Sequence, residues 1–399
     1  MASGARQGRR PPAAAMRWTF SDPVVRGVVY QVLMIGLVAW LVGWLASNTM
    51  HNLEVRRIAS GFGFLSREAG LPIGDSPFID YTPERSYLAA LLVGVLNTLR
   101  VAVIGVVLAT LLGTAIGIAR LSRNWLLARC ARAYVEVMRN LPLLLQLLFW
   151  WALFRESLPG PREAIRILDT FFLSNRGFKY PLPVPEPAHA WVLAGLAAGL
   201  VAALAVARWA RARQAATGAQ FPAGWAALGL VLGCPLAAFL ASGAPLEWSR
   251  PALRGFNFAG GGTLTPEFAA LLIGLVTYTA AFIAEIVRSG IQAVPHGQSE
   301  AALSLGLPRG RVLSLVVLPQ ALRVIVPPMT SQYLNLAKNS SLAVAIGYPD
   351  LVSIANTTMN QTGQAIEGVA IIMAVYLSIS LSISLFMNWY NRRIALVER

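Results

Sequence analysis

A single lysine, Lys338, lies inside a long, mainly apolar stretch near the end of the chain. A charged group is costly in such surroundings, so it marks a candidate functional position. Asn335, Asn339, Ser340 and Ser341 surround it with hydrogen-bond donors and acceptors. The sequence leaves two roles open for this group. Lys338 helps to hold the carboxylate of a zwitterion, or it pairs with backbone carbonyls or an acid across a subunit contact and sets a gate.

Two more polar side chains in apolar stretches, Gln146 and Arg100, are candidates to line the route of the same zwitterion or its gate. For Gln146 the competing interpretation is an ordinary hydrogen bond between helices. Glu285 is a further candidate, but Arg288 follows three residues later. Pairing of these two side chains along one helix would account for both charges.

Other kinds of chemistry lack the residues that they need. The sequence has no Gly-x-x-x-x-Gly-Lys-Ser/Thr loop, so this chain is not itself an ATPase. His51, His189 and His296 fall in three separate segments, which argues against both a metal site and a Ser/His/Asp arrangement. We therefore predict no catalytic residues and no metal ligands.

The segment from Pro295 to Pro308 has the pattern of a short, separate helix. Pro295 and Gly297 open it, Glu300 suits its positive end, and Gly306 followed by Pro308 ends it. We expect Gly306 to adopt a left-handed conformation that a side chain would strain. The helix carries small and apolar side chains suited to contact with another surface: Ala301, Ala302, Leu303 and Leu305.

The composition predicts a membrane protein, because hydrophobic residues make up 56% of the chain, charged residues only 13%, and the mean hydropathy is +0.58. Eight apolar runs are near the ~20 residues needed to cross a bilayer. They are 27–47, 88–118, 133–154, 189–207, 225–243, 266–287, 319–345 and 366–389. We place the start of the seventh span at Pro319 and expect 309–318 to lie along the membrane surface on the cytoplasmic side.

The arginines predict the orientation of these spans. With the N-terminus inside, the cytoplasmic segments hold eighteen arginines against Asp22, Glu300 and Glu398, whereas the opposite loops hold equal numbers of cations and acids. Cationic loops stay on the cytoplasmic side, so both termini and the 295–308 helix are predicted to be cytoplasmic. Membrane orientation also explains the net charge of +15 better than nucleic-acid binding does.

Several motifs together resemble the permease subunits of polar amino acid ABC importers (the His/Glu/Gln/Arg/opine family), most of all the long permease of the general L-amino acid importers. Gln298–Gly306 resembles the EAA loop of these permeases, a short helix that docks on a separate ATPase. The other matching stretches are Asn97–Arg100, Arg139–Leu147, Glu285–Ile291, Pro319–Ala321 and Lys338–Leu342.

This resemblance implies an all-α integral membrane protein with about eight transmembrane helices. They would form a type I ABC importer permease core of five helices, an N-terminal helix and a two-helix insert. The implied organisation is a cytoplasmic tail (1–26), a first transmembrane helix (27–47), a periplasmic loop (48–87), the first part of the core (88–155), the insert (156–265), the second part of the core (266–390) with the EAA loop (293–312), and a cytoplasmic tail (391–399).

The resemblance also implies partners in a bacterial inner membrane. Glu300, Ala301, Ala302, Leu305 and Gly306 would couple this chain to an ABC ATPase dimer. ATP and Mg²⁺ would bind on that dimer, with no cofactor in this chain. The resemblance implies a second permease subunit, either another copy of this chain or, as favoured here, a shorter related permease in a heterodimer. It also implies membrane lipid and a periplasmic amino-acid-binding protein. The alternative is an ATP-independent secondary transporter or channel, for which inverted repeats and paired intramembrane carboxylates would be expected.

Overall fold

The computed structural model describes residues 23–55, 60–184, 186–187, 189–243 and 247–394, so most of both predicted tails lies outside it. The described helices are α1 (Pro23–Val55), α2 (Tyr87–Ala119), α3 (Trp125–Asn140), α4 (Leu143–Glu156), α5 (His189–Thr217), α6 (Ala223–Ala241), α7 (Pro266–Gln292), α8 (His296–Ser304), α9 (Arg309–Val312), α10 (Leu318–Asn339), α11 (Leu351–Thr362) and α12 (Ala365–Ile394).

Within the described ranges, seven helices are long and apolar enough to cross a membrane, and counting the bent pair α3 and α4 as one span makes eight. This confirms the predicted fold class. The core is built around α7, against which α2, α4 and α10 pack. Leu271, Leu275 and Ile283 of α7 are fully buried, because this helix has neighbours on most of its surface.

Two glycines allow α2 to approach α7 closely. A Cβ at Gly113 would lie 2.7 Å from the Cβ of Ile283, and a Cβ at Gly117 would lie 2.8 Å from the carbonyl oxygen of Ala284. Both distances are shorter than a real side chain tolerates. Close helix approach is therefore the role of this Gly-x-x-x-Gly pair, as its spacing suggests.

The span expected over 133–154 is two helices and not one. α3 ends at Asn140, α4 begins at Leu143, and their axes differ by 103°. Leu141 and Pro142 between them have extended backbone, with ψ of 130° and 133°. The residue before a proline avoids the helical region, which explains the break.

The helix that contains the seventh predicted span begins earlier than expected. Helical backbone runs from Arg309 to Ile346 without the break that we placed at Pro319. The turn Leu313–Val317 is π-helical, and Pro319 follows in the first turn of α10. Proline has no N–H to donate, and its ring clashes with the carbonyl one turn earlier in an α-helix. The wider π-helical turn makes room for the ring, so the helix continues past Pro319.

The segment between α4 and α7 contains small sheets that the all-helical prediction did not include. A four-stranded antiparallel sheet has the order β1-β2-β3-β8, with Phe178 of β3 opposite Leu264 of β8. β8 runs directly into Thr265, whose hydroxyl caps the start of α7. The strands are β1 (Ile165–Ile167), β2 (Phe171–Ser174), β3 (Gly177–Tyr180), β4 (Leu182–Pro183), β5 (Trp248–Ser249), β6 (Ala252–Arg254), β7 (Asn257–Ala259) and β8 (Gly262–Leu264).

α5 and α6 form a hairpin that packs mainly on itself. Gly195 and Gly199 of α5 face the backbone of α6, where a Cβ would lie 2.8 Å from the carbonyl oxygen of Cys234 and 2.6 Å from that of Leu230. Small residues thus serve close packing here, as in α2. Because α7 runs from the strands to α8, we call its two ends the sheet end and the α8 end.

Candidate coupling helix and membrane path

The predicted short helix is present as α8, and its last turn has a defined stop. Gly306 has a φ of +78°, the left-handed conformation expected from the sequence. The N–H of Gly306 donates to the carbonyl of Leu303, and the N–H of Leu307 donates to that of Ala302. These two bonds make a Schellman motif, so the direction of the chain after α8 depends on a residue without a Cβ.

The surface of α8 divides into a packed face and an open face. Ala302 is buried where α8 packs against the π-helical turn and α9. Glu300 and Ala301 are exposed, and so are the apolar side chains Leu303 and Leu305, the latter at 83%. Four of the five predicted coupling residues are therefore open to contact along one short segment, and only Ala302 is buried.

A cluster of charges lies near α8, between α2 and α7. The carboxylate of Glu285 accepts hydrogen bonds from Arg120, the residue that follows α2, and from Arg288 of α7. The Glu285–Arg288 pair agrees with the sequence, whereas the part played by Arg120 was missed because its partner is 165 residues away. This cluster joins α2 to the end of α7 from which α8 departs.

Replacing Glu285 by glutamine is expected to lower the free energy of unfolding by about 1 kcal/mol, because Arg120 and Arg288 would lose their shared anion while remaining partly exposed. The measurement is the apparent melting temperature of the detergent-purified protein. Glu136→Gln, at an exposed site on α3, is the control and should leave it unchanged. Equal melting temperatures for both variants would mean that the cluster does not tie α2 to α7.

The residues around Lys338 come together where α10 ends. Lys338 and Asn335 are exposed, Asn339 and Ser341 are half-buried, and Ser340 is fully buried. The hydroxyls of both serines donate within this turn, from Ser340 to the carbonyl of Ala337 at 2.8 Å and from Ser341 to that of Lys338 at 2.7 Å. These bonds fix the backbone of the last turn of α10, and the side chain of Lys338 is exposed there.

The side-chain amide of Gln146 donates to backbone carbonyls at the bend between α3 and α4. Its buried amide donates to the carbonyls of Met138 and Leu141, both at 3.1 Å. These two carbonyls lie on either side of the residue at which α3 ends, so Gln146 links α4 to the bend. The hydrogen-bonding interpretation accounts for its contacts, and a place in the path stays a prediction.

Arg100 is held at the sheet end by an ion pair and an aromatic ring. Its Nη1 lies 3.2 Å from both carboxylate oxygens of Asp75, and its guanidinium carbon lies 3.9 Å from the centre of the Phe268 ring. Asn97, one turn earlier on α2, donates to the backbone carbonyl of Asp75 at 2.7 Å. Burial raises the pKa of the Asp75 carboxyl, and the Arg100 guanidinium opposes that rise in pKa.

Comparison with known proteins identifies the family. The model of the inner membrane component of binding-protein-dependent transport systems matches residues 105–396, more than half of the chain. The chain belongs to this family. The permease is 50% identical over 97% of its length to the general L-amino acid transport system permease protein AapQ of Rhizobium johnstonii, of which it covers 98%.

Two other relatives cover the permease almost completely. The putative amino-acid ABC transporter permease protein YhdX of Escherichia coli (strain K12) is 53% identical over 96% of this chain and 97% of its own. The glutamate/glutamine/aspartate/asparagine transport system permease protein BztB of Rhodobacter capsulatus is 41% identical over 98% and 99%. The chain is thus a permease subunit of an ABC importer, a multi-span inner membrane protein, and the predicted resemblance is confirmed.

The Asp75–Arg100 pair of the permease gives a prediction about stability. Asp75→Asn is expected to lower the free energy of unfolding by about 2 kcal/mol, because Arg100, with a side chain only 10% exposed, would lose its anion. Asp75→Asn with Arg100→Gln should cost less than the sum of the single changes. Thermal unfolding of the four proteins in detergent measures this, with Asp80→Asn in the same loop as control. Additive losses would show that the two groups do not interact.

Sequence reasoning missed Asp75 and Phe268 at this site, and it named Asn97 only as part of the matching stretch Asn97–Arg100. No spacing relates a loop aspartate to an arginine 25 residues later. The physical signal was Arg100 itself, since a charged residue within an apolar helix requires a partner.

Proposed function

We propose that the permease imports L-amino acids with energy from ATP that a separate subunit hydrolyses. The observation that carries this proposal is its similarity along nearly the whole chain to three permeases named for amino acid transport. Their names range from general L-amino acids to a set of acidic and amide residues. The substrate class that these relatives support is thus the α-amino acid, without a preference for one side chain.

In this proposal the α8 end faces the cytoplasm and an ABC ATPase dimer binds the open face of α8. The exposure of Leu303 and Leu305 supports it, because two apolar side chains on a short polar segment suit a protein contact. The distribution of arginines supports the same orientation, with both termini in the cytoplasm. ATP and Mg²⁺ would be held by the ATPase, and this chain would supply no ligands to them.

The remaining partners follow from the same arrangement. A second permease subunit would complete the pathway as a heterodimer, with lipid around both, and a periplasmic amino-acid-binding protein would deliver substrate at the sheet end. ATP-driven closure of the ATPase dimer would move α8 and rock the helices between inward and outward access. By reciprocity, loaded binding protein would favour the closed ATPase.

For the path itself, we propose that the turn formed by Asn335, Lys338, Asn339, Ser340 and Ser341 holds the substrate carboxylate or sets the gate. The accessible ammonium of Lys338 supports the first role, and its ordered surroundings support both. Arg100 would act through Asp75 near the mouth of the path. Gln146 would act through the bend between α3 and α4.

The test is uptake of labelled L-amino acids by vesicles that contain this chain, the candidate ATPase, the second permease and the binding protein. We expect accumulation that requires ATP and stops when the ATPase carries an inactivating change. Uptake that continues without ATP hydrolysis would overturn the proposal in favour of a secondary transporter.

A further inference from the structure

A polar cleft opens at the sheet end, where the segment with the strands meets the core. Its volume is about 540 Å³, within the range of about 300–1,000 Å³ typical of small-ligand pockets. The core contributes Arg155 from the end of α4 and Glu267 from the first turn of α7. The turn between β2 and β3 contributes Asn175 and Arg176. The lining is Arg155, Asn175, Arg176, Thr265, Pro266 and Glu267.

Charges of opposite sign lie side by side in this cleft. Nη1 of Arg155 is 3.3 Å from Oε1 of Glu267, and these side chains are 52% and 19% exposed. The Arg155 guanidinium also lies over the Trp151 ring, 5.5 Å from its centre, which restricts its position. Glu267 lies in the first turn of α7, so the positive end of the helix dipole stabilises its carboxylate.

An α-amino acid carries a carboxylate and an ammonium group on one carbon, so it needs a cation and an anion close together. Arg155 and Glu267 provide such a pair. We propose that this cleft is a transient binding site for the α-carboxylate and α-ammonium groups of an amino acid entering the permease. The inference rests on the proposed function. It also gives the strands a role in substrate binding, because the turn between β2 and β3 brings Arg176 into the cleft.

The energetics suit a site that must release its ligand. An exposed ion pair contributes little to the free energy of folding. Breaking it to bind the two charged groups of a substrate therefore costs little free energy, and the net free energy of binding stays small. A neighbouring cavity, about 260 Å³ in volume, shares Thr265 and Glu267 with the cleft and is also lined by Asp75, the partner of Arg100. Glu267 thus lines both cavities.

The lining also sets the breadth of substrates. Pro266 is its only apolar residue, so the lining offers a substrate side chain no shaped apolar surface. The lining can distinguish substrate side chains only by their charge. With two arginines and one glutamate the lining carries one excess positive charge. Anionic side chains should thus be favoured over cationic ones.

The experiment uses the complete transporter in proteoliposomes with saturating loaded binding protein, and measures amino acids transported per ATP hydrolysed. Glu267→Gln and Arg155→Gln are expected to lower this ratio about 10-fold, as loss of a charge-assisted contact does. ATP hydrolysis stimulated by the binding protein should remain. Glu156→Gln, next to Arg155 but outside the cleft, is the matched control and should keep the wild-type ratio.

Arg176→Gln is a second variant, in an exposed turn where folding is not at risk. It should lower uptake of glutamate relative to lysine about 2- to 5-fold. Wild-type ratios in all three variants would overturn the inference and leave only a structural ion pair. Equal losses of stimulated ATP hydrolysis and uptake would also overturn it, by assigning these residues to docking of the binding protein. Failure of the wild-type transporter to accumulate amino acids with ATP would instead refute the proposed function.

Discussion

Gly306→Val is expected to reduce ATP-driven uptake about 10-fold while the amount of permease in the membrane stays normal. The φ of +78° at this position costs a residue with a Cβ roughly 1–2 kcal/mol, and more when the side chain is β-branched. The Schellman hydrogen bonds would be lost or displaced, and with them the orientation of Leu303 and Leu305. The measurements are uptake into vesicles and the amount of ATPase that co-purifies with the permease.

Gly297→Ala and Gly306→Ala form a matched pair of controls within the same short segment. Gly297 lies inside α8 with no atom within 4 Å of an added Cβ and with ordinary helical backbone, so alanine there should leave uptake intact. Gly306→Ala should fall between the wild type and Gly306→Val. If Gly306→Val transports normally and retains the ATPase, the shape of this helix end does not transmit coupling.

Gly113→Leu is expected to remove most folded permease from the membrane. An added Cβ alone would lie 2.7 Å from the Cβ of Ile283 and 2.8 Å from the carbonyl oxygen of Ala280, so α2 and α7 would have to separate along the centre of the core. Overpacking of this kind costs upwards of about 3 kcal/mol where backbone cannot move aside. The amount of protein in the membrane and the melting temperature in detergent measure the effect.

The control for this change is Gly36→Leu in α1, where no atom lies within 4 Å of an added Cβ and neighbouring side chains are exposed. Leucine is a better helix former than glycine, so this variant should be at least as stable as the wild type. Gly117→Ala should lower the melting temperature in the same direction as Gly113→Leu but by less, because its Cβ would meet the carbonyl of Ala284. A normal melting temperature for Gly113→Leu would show that α2 and α7 are not packed as described.

Features that depend on neighbours in the chain were predictable. The left-handed Gly306 followed from a glycine placed before Pro308, and the pairing of Glu285 with Arg288 followed from helical spacing. Close helix approach at Gly113 and Gly117 is likewise what a repeat of four on one helix face predicts. Each of these is a local property of the backbone or of one helix.

Features that depend on two competing local preferences were predicted wrongly. The run 133–154 is apolar enough to cross a membrane, yet Pro142 divides it into two helices bent by 103°. Pro319 was expected to begin a span, yet a π-helical turn carries the helix past it. Proline marks a place where a helix is weakened, and the surrounding packing decides whether it breaks.

By itself, the sequence determined that this is a membrane-spanning permease. The length of the apolar runs, the distribution of arginines and the motifs around Gly306 can all be recognised from residues that are close together in the chain. Only the tertiary structure decided which distant groups meet. It joined Asp75 to Arg100, Arg120 to Glu285, and Arg155 to Glu267. The physical reason is that a charge in an apolar helix requires some partner, but which partner it has depends on how helices and strands far apart in sequence pack together.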